Sequence, residues 1–290
     1  MTLRRLGIDV GGTKTLGVVV EYGTNGPTVV DEGLMPTDGN ADPVAALAGF
    51  ARGFPSVASV GVGFAGLVQR DGVVNQTTHL PGTRGVAMRA ELESALGLPV
   101  AIDNDATCAA VAEWRMGAGR GCSDVLAVTL GTGIGGGAIV DGKLARGHHG
   151  LAAEFGHLVV QRDGEQCKCG RRGCWEMYAS GDALSRVSRG LGLDDVLAAA
   201  ASGNAAAVQH VDDFARWVAL GLANLTNAYD PECIVLGGGL GSRANLLPPV
   251  ERHFRGSDRS HAGRPLPRLA TAVLGHRAGA IGAALLNDDR

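Results

Sequence analysis

Two stretches lying far apart in this chain echo each other: LGIDVGGT at 6–13 and AVTLGTGIGGG at 127–137. Each is an apolar run that reads as a strand and breaks into a glycine-rich turn. Strands alternating with helical periods follow both. A strand-first unit that recurs in this way points to two duplicated α/β domains flanking a cleft. Composition supports this. Of 290 residues, 46 are glycine, about twice the average usage. There is no Gly-X-Y period, so the chain is not collagen-like. A hydrophobic content of 45% excludes a disordered one. The glycines lie in apolar surroundings, at DVGGTK, GVGFAG, LGTGIGGG and VLGGGLG. Glycine is needed where backbone takes φ > 0 or approaches a ligand closely, so several ligand loops built from backbone are expected.

The periodicity predicts strands at 3–10, 16–20 and 26–33, and a helix at 42–53 with Pro43 in its first turn. A strand at 57–68 enters a glycine turn, 85–96 reads as helix, 98–105 as strand then turn, and 107–117 as a helix ended by Gly117. In the second half, strands at 124–131 and 136–146 are expected, with Asp141-Gly142 as a hairpin turn. Helices follow at 182–190, 194–201 and 205–229, then a buried strand at 233–239, a last strand at 269–275 and a final helix at 278–286.

A net charge of −3 argues against a dedicated nucleic-acid surface. No run of apolar residues is long enough to span a bilayer, and the N-terminal residues lead straight into a strand pattern without a signal-peptide core. A cytoplasmic protein is expected, with neither membrane nor nucleic acid as partner. In that setting six cysteines point to metal or thiol chemistry and not to a disulfide framework.

Five motifs carry chemistry. In Asp9-Val10-Gly11-Gly12-Thr13-Lys14 a strand delivers an acid to a turn with exposed N–H groups. Such a nest binds phosphate, and an acid at the strand end can hold Mg²⁺ through water. The bland alternative is a bare hairpin turn. Residues 130–137 contain a formal G-x-G-x-x-G, but no helix follows, so the dinucleotide reading fails. A G-x₄-G-K pattern at 137–143 also fails, because Leu144 stands where a Mg²⁺-binding Ser or Thr is required. A second phosphate-cradling hairpin is the better reading. At 235–240 a buried strand ends in Gly237, Gly238 and Gly239, suited to a flat adenine or ribose, or else to a tight strand–helix turn. Asp103-Asn104-Asp105-Ala106 places two acids and an amide at a strand tip. These suit hydroxyl binding and general-base work, or helix capping, which Asp105 also fits.

The fifth motif is the most specific. His157 precedes Cys167, Cys169 and Cys174 in a glycine-rich C-x-C-x₄-C knuckle. Three thiolates and one imidazole make a closed structural zinc site with no open position for water. Glu154 and Glu176 flank it, and a metal-bound histidine keeps one ring nitrogen for hydrogen bonding. Glu154, His157 and Glu176 would then present a rigid polar surface to a polyhydroxyl ligand. Cys108, Cys122 and Cys233 read as core thiols. Trp114, Trp175 and Trp217 read as packing residues, with Trp175 near enough to Glu176 to edge the site.

Taken in order, DVGGTK at 9–14, GVGFAGLV at 61–68, DNDA at 103–106, TLGTGIGGG at 129–137, AAEFGH at 152–157, CKCGRRGCWEMYASG at 167–181 and VLGGGL at 235–240 resemble the ROK family of sugar kinases and repressors. That family lies within the actin-like ATPase/hexokinase superfamily, whose domains are ribonuclease H-like. The resemblance covers essentially the whole chain and is strongest to the actinobacterial, ATP-dependent glucokinase branch. It implies a smaller domain of 1–110 with 276–290, and a larger domain of 111–275 bearing the zinc knuckle. It implies that Asp105 takes the proton of the sugar 6-hydroxyl. Gly66, the residue at position 79, Asn104, Glu154, His157 and Glu176 would bind the sugar, with His157 also a zinc ligand. Asp9, Gly11, Gly12, Thr13, Lys14, Thr132 and Gly133 would hold the ATP phosphates and Mg²⁺. Gly237, Gly238 and Gly239 would face the adenosine. A homodimer or homotetramer is the implied assembly.

Two departures from the family stand out. His79 replaces the usual asparagine of the sugar pocket, which leaves hydroxyl preference open. Ala153 stands where many members have glycine. ROK repressors carry an N-terminal winged helix-turn-helix, and a phosphate motif starting at residue 9 leaves no room for one. The expected activity is therefore hexose 6-phosphorylation, most simply of glucose. An N-acetylhexosamine kinase, another hexose kinase, a polyphosphate-using kinase and a non-catalytic sugar sensor are the alternatives.

Overall fold

The protein was analysed as a computed structural model, which describes residues 2–39, 42–77, 80–257 and 265–289. The chain opens with an antiparallel meander, β1 (Leu3–Val10), β2 (Lys14–Gly23) and β3 (Gly26–Pro36). Helix α1 (Pro43–Arg52) follows, capped by Asp42 with Pro43 in its first turn. Then come β4 (Ser59–Phe64), the small hairpin β5 (Gly66–Val68) and β6 (Val74–Thr77), α2 (Met88–Leu96), β7 (Val100–Asn104) and α3 (Asp105–Met116). The second half repeats the opening with β8 (Val125–Leu130), β9 (Ile134–Val140) and β10 (Lys143–Leu144). Four helices follow: α4 (Glu176–Ala179), α5 (Gly181–Val187), α6 (Leu193–Ala201) and α7 (Ala205–Tyr229). The chain then runs through β11 (Cys233–Gly237), α8 (Gly238–Gly241), α9 (Leu247–Ser257), β12 (Arg268–Thr271) and α10 (Ala278–Leu285).

The duplication is visible in strand order. One sheet runs β3-β2-β1-β4-β7 and the other β10-β9-β8-β11-β12. In both, the opening strand pairs antiparallel with the second and parallel with the fourth. The parallel strands deliver their carboxyl ends to one edge, where open α/β sheets bind ligands.

Helix α10 packs on β1 and β4 of the first sheet and on α3. Gly7 and Gly61 make this possible: a Cβ on either would collide with the carbonyl oxygens of Ala280 and Ala283. The last helix of the chain therefore sits with the first sheet. Around the second sheet, α7 and its neighbours close a core in which Trp175, Phe214, Leu222 and Phe254 are buried.

Most elements fall where periodicity places them, and the differences have local causes. Helix α2 starts at Met88 and not at residue 85, because Gly85 takes φ 76° and Val86 bridges back to Val74. Strand β12 ends at Thr271. Beyond it, the N–H groups of Val273 and Leu274 turn onto Oε1 of the buried Glu113, at 3.0 and 2.9 Å. Helix α5 stops at Val187, before the left-handed Arg189 and Gly190. Strand β11 ends at Gly237, and Gly238 already opens α8. The Asp141-Gly142 turn forms as expected, both residues having φ > 0.

Among the other thiols, Cys108 and Cys233 are buried. Burial pushes Cys233 up to about 11 and Cys108 well above the ordinary thiol range, so both stay protonated. Cys122 departs from expectation, being only partly buried. It lies beside the exposed Arg268 guanidinium, which takes it out of the core proper.

Candidate active site

Asp9 is the penultimate residue of β1, and Asn104 is the last residue of β7. Strand β4 lies between them, with Asp9 opposite Gly63 and Gly63 opposite Asp103. Gly63 leaves room for α3: a Cβ there would lie 3.2 Å from Cys108 Sγ and 3.5 Å from Asp105 Cα. The sheet thus draws Asp9 and the Asp103-Asn104-Asp105 turn to one edge. Burial pushes the Asp9 carboxyl up to about 7, and the charge of Asp105 adds to the shift.

Capping of α3 falls to Asn104. Its Oδ1 accepts the N–H groups of Ala106 and Thr107 at 2.9 and 3.0 Å, and its Nδ2 donates to Gly66 O at 3.0 Å. One amide hydrogen of Asn104 is left for a ligand. Asp105 is the first helical residue, with one oxygen accepting the Ala106 N–H at 2.9 Å. The capping alternative, which Asp105 also fitted, is therefore filled by its neighbour Asn104.

Glu154 and His157 bracket a single 3-10 turn, Phe155–His157. Burial raises the Glu154 carboxyl; the His157 ring lowers it, and Asp105 and Glu176 raise it again. Asp105 therefore lies near enough to both Asp9 and Glu154 to raise each carboxyl. Ala153, just before, holds φ 68°. That is the left-handed conformation that glycine enters freely, which fits the glycine that the family resemblance leads one to expect here.

The zinc expectation fits the donor geometry. One donor atom each from His157, Cys167, Cys169 and Cys174 all lie within 4.8 Å of one another. Cys169 and Cys174 Sγ are 3.5 Å apart, and Cys167 Sγ is 3.7 Å from His157 Nδ1. Ligands of a tetrahedral zinc with bonds of ~2.3 Å are spaced by about this much. The ring presents Nδ1 to the sulfurs, and its Nε2 faces Glu154 Oε2 at 3.9 Å. Glu176 Oε1 lies 3.5 Å from Nδ1 and 3.1 Å from Cys167 Sγ. Trp175 is fully buried and does not edge the site. Its indole N–H donates to Trp217 O at 2.8 Å, and its ring fills the gap left by Gly221 of α7. It pins the knuckle one residue before Glu176.

The second glycine loop meets this surface. A Cβ on Gly133 would lie 2.8 Å from Glu176 Oε2. The carbonyls of Gly131 and Thr132 accept N–H groups of Gly181 and Asp182 at 2.7 and 3.3 Å, so the start of α5 fixes the loop. The third turn adjoins it, since β8 and β11 are neighbours and Gly238, at φ 77°, packs on the Leu130 backbone. Gly238 and Gly239 are exposed, while Gly237 is buried as the last residue of β11. The first turn stands at the end of the first sheet, with Gly12, Thr13 and Lys14 exposed and Gly11 N–H donating to Lys14 O at 3.2 Å.

Residues 5–290 match the ROK family. The chain belongs to that family. It is 36% identical to a glucokinase of Streptomyces coelicolor, with 96% of each chain covered. It is 31% identical to an N-acetyl-D-glucosamine kinase of Vibrio cholerae over 97% of this chain and 98% of the relative. A ROK glucokinase from Streptomyces griseus, solved with glucose and AMPPNP, superimposes with a TM-score of 0.83 at 36% identity over 99% of both chains. The fold is accordingly that of the ROK sugar kinases within the actin-like ATPase/hexokinase class.

In this ROK chain, structure adds residues that sequence reasoning passed over. Gly279 of α10 lies against Asp9, where a Cβ would come 2.6 Å from Oδ2. Arg146, from the segment after β10, reaches Asp103 Oδ2 with its Nε at 2.8 Å. An arginine shortly before AAEFGH was the available signal, but its partner 43 residues upstream was not legible. His79 lies outside the described residues, so its place in the pocket stays an expectation.

Proposed function

We propose that this chain transfers the γ-phosphoryl group of ATP to the 6-hydroxyl of a hexose, with glucose as the preferred acceptor. The observation that carries this reading is the position of Asp105. Its charge acts on both Asp9, a carboxylate suited to a Mg²⁺–nucleotide, and Glu154, which adjoins His157; His157 in turn adjoins Glu176, and these three make up the acidic surface proposed for the sugar. The glucose-bound relative at 36% identity supports the same assignment.

Phosphoryl transfer asks mainly for positioning and charge stabilisation. The 6-oxygen attacks the γ-phosphorus, the bond to the β–γ bridging oxygen breaks, and ADP leaves. Asp105 accepts the hydroxyl proton. Glu154, His157 Nε2, Glu176, Gly66, His79 and the remaining Asn104 N–H hold the other hydroxyls. Lys14 and the N–H groups around Gly11, Gly12, Thr13, Thr132 and Gly133 balance charge on the phosphates, and Gly237, Gly238 and Gly239 bracket the adenosine. Mg²⁺ bound with ATP, through water on Asp9, would neutralise charge as it develops. Zinc held by His157 and the three cysteines would fix the sugar surface and take no part in the reaction.

The working unit is a cytoplasmic homodimer or homotetramer whose two domains, 1–110 with 276–290 and 111–275, close on the substrates. The V. cholerae relative favours an N-acetylhexosamine as the second reading. Ranking kcat/KM over glucose, mannose, N-acetylglucosamine and N-acetylmannosamine with ATP tests both. Glucose first is the expected result, and N-acetylglucosamine first would replace the assignment.

A further inference from the structure

Asp103, two residues before Asp105, lines a cavity of about 200 Å³ outside the proposed sugar and nucleotide surfaces. Its walls come from both halves of the chain. Gln69 and Arg70 follow β5, Arg89 belongs to α2, and Arg146 and Gly150 follow β10. Cross-bonds tie these walls together. Arg70 N–H donates to His149 O at 2.9 Å, Arg89 Nη2 donates to Arg70 O at 2.8 Å, and Arg146 Nε donates to Asp103 Oδ2 at 2.8 Å.

Three arginines, Arg70, Arg89 and Arg146, and one acid, Asp103, are among the residues that line this cavity, so basic side chains outnumber acidic ones there. Guanidinium cannot discharge in the working pH range. Its fork matches the oxygens of phosphate. The volume is several times the ~30 Å³ that one water occupies in the liquid, enough for a tetrahedral oxyanion with a short carbon body. Phosphoryl transfer as proposed above makes no use of Gln69, Arg70 or Arg89.

We propose that this cavity binds a small phosphate dianion, either inorganic phosphate or a short phosphomonoester, and that the bound anion slows turnover by drawing Arg146 away from Asp103. Asp103 is almost fully buried. Its Oδ1 accepts the Asn104 N–H at 2.9 Å, so it shares a turn with the hydroxyl-binding amide and the base. A buried carboxylate that loses its partner is strongly destabilised, and the turn shifts to relieve it. The binding half rests on the cavity alone. The kinetic half rests on the role given to Asp105.

The test is calorimetric titration of inorganic phosphate and of glycerol 3-phosphate into protein saturated with a non-hydrolysable ATP analogue, so that the phosphate loops are filled. Wild type should bind at least one of the two, and the tighter one identifies the source. Arg70→Ala and Arg89→Gln should each weaken binding at least tenfold. In steady-state assays the anion should inhibit non-competitively towards ATP and hexose, and both variants should lose that inhibition while keeping their turnover without anion. No binding with the nucleotide site filled, or equal binding by both variants, overturns the site. Binding that leaves the rate unchanged, or inhibition competitive with ATP, overturns the kinetic half. Binding lost in the variants of a protein that phosphorylates no hexose would leave the site standing and remove the kinase reading instead.

Discussion

Removing the Asp105 carboxylate should leave the fold nearly intact, because Asn104 caps α3. Asp105→Asn is expected to lower kcat by a factor of about 10²–10⁴, the range typical of a lost general base, with an unchanged melting curve and retained glucose binding. Asp9 behaves differently. Its folded pKa, about 7, lies above its unfolded value. The native state therefore keeps a proton that the unfolded chain releases, so stability falls as pH rises from the ordinary carboxylate range through 7. Asp9→Asn removes this cost. In EDTA the variant should be more stable than wild type near pH 8, by on the order of 2 kcal/mol after allowance for partial exposure. The advantage should shrink as pH falls towards 5, and urea melts at both ends check this. Ala153 stores strain of another kind. Ala153→Gly should stabilise by about 1 kcal/mol, because φ 68° costs alanine more than it costs glycine. At this scale the motif residues were legible because their chemistry is local. The division of labour between Asn104 and Asp105 was not, since either side chain can cap a helix. Nor was the Asp103–Arg146 pair, which only the meeting of the two halves creates.

The proposed function makes the knuckle the element on which sugar affinity depends. Glu176 follows Cys174 and the buried Trp175, and Glu154 faces Nε2 of His157, the ring nitrogen turned away from the cysteines. Metal removal by chelation, or Cys169→Ser, should raise the KM for hexose more than it lowers kcat, with metal content measured on the same samples. An unchanged KM after confirmed metal loss would contradict the coupling. Trp175→Ala should cost about 3–5 kcal/mol, as for other buried large-to-small changes, because the ring fills the slot beside Gly221. Chemical denaturation measures this. The knuckle could be read from sequence because its four candidate donors, His157, Cys167, Cys169 and Cys174, lie close together in the chain. Helix α9 could not: its start holds Pro248 and Pro249, residues that disfavour a helix interior but are tolerated in the first turn where they stand. Strand β6 is four mostly polar residues paired with β5 and bridged at Val74 to Val86, too little pattern to signal a strand.

For the whole molecule, the repeated strand order explains why one glycine-rich turn recurs at the ends of two sheets. The duplication was legible because apolar strands and glycine turns leave a pattern in sequence. The seat of α10 on the first sheet was implied only by family resemblance, since close packing at Gly7 and Gly61 has no periodic signature. Among the described residues no helix is long and apolar enough to cross a membrane. The role proposed for Asp105 predicts direct transfer from ATP to the hexose. The decisive measurement follows purified wild type and Asp105→Asn with ATP, Mg²⁺ and glucose, identifying the product by phosphorus–proton NMR. The account predicts phosphate on the 6-oxygen of glucose from wild type and a loss of at least a hundredfold in rate in the variant, in keeping with a missing base. No transfer to glucose or to any other hexose, or undiminished transfer by Asp105→Asn, would contradict it.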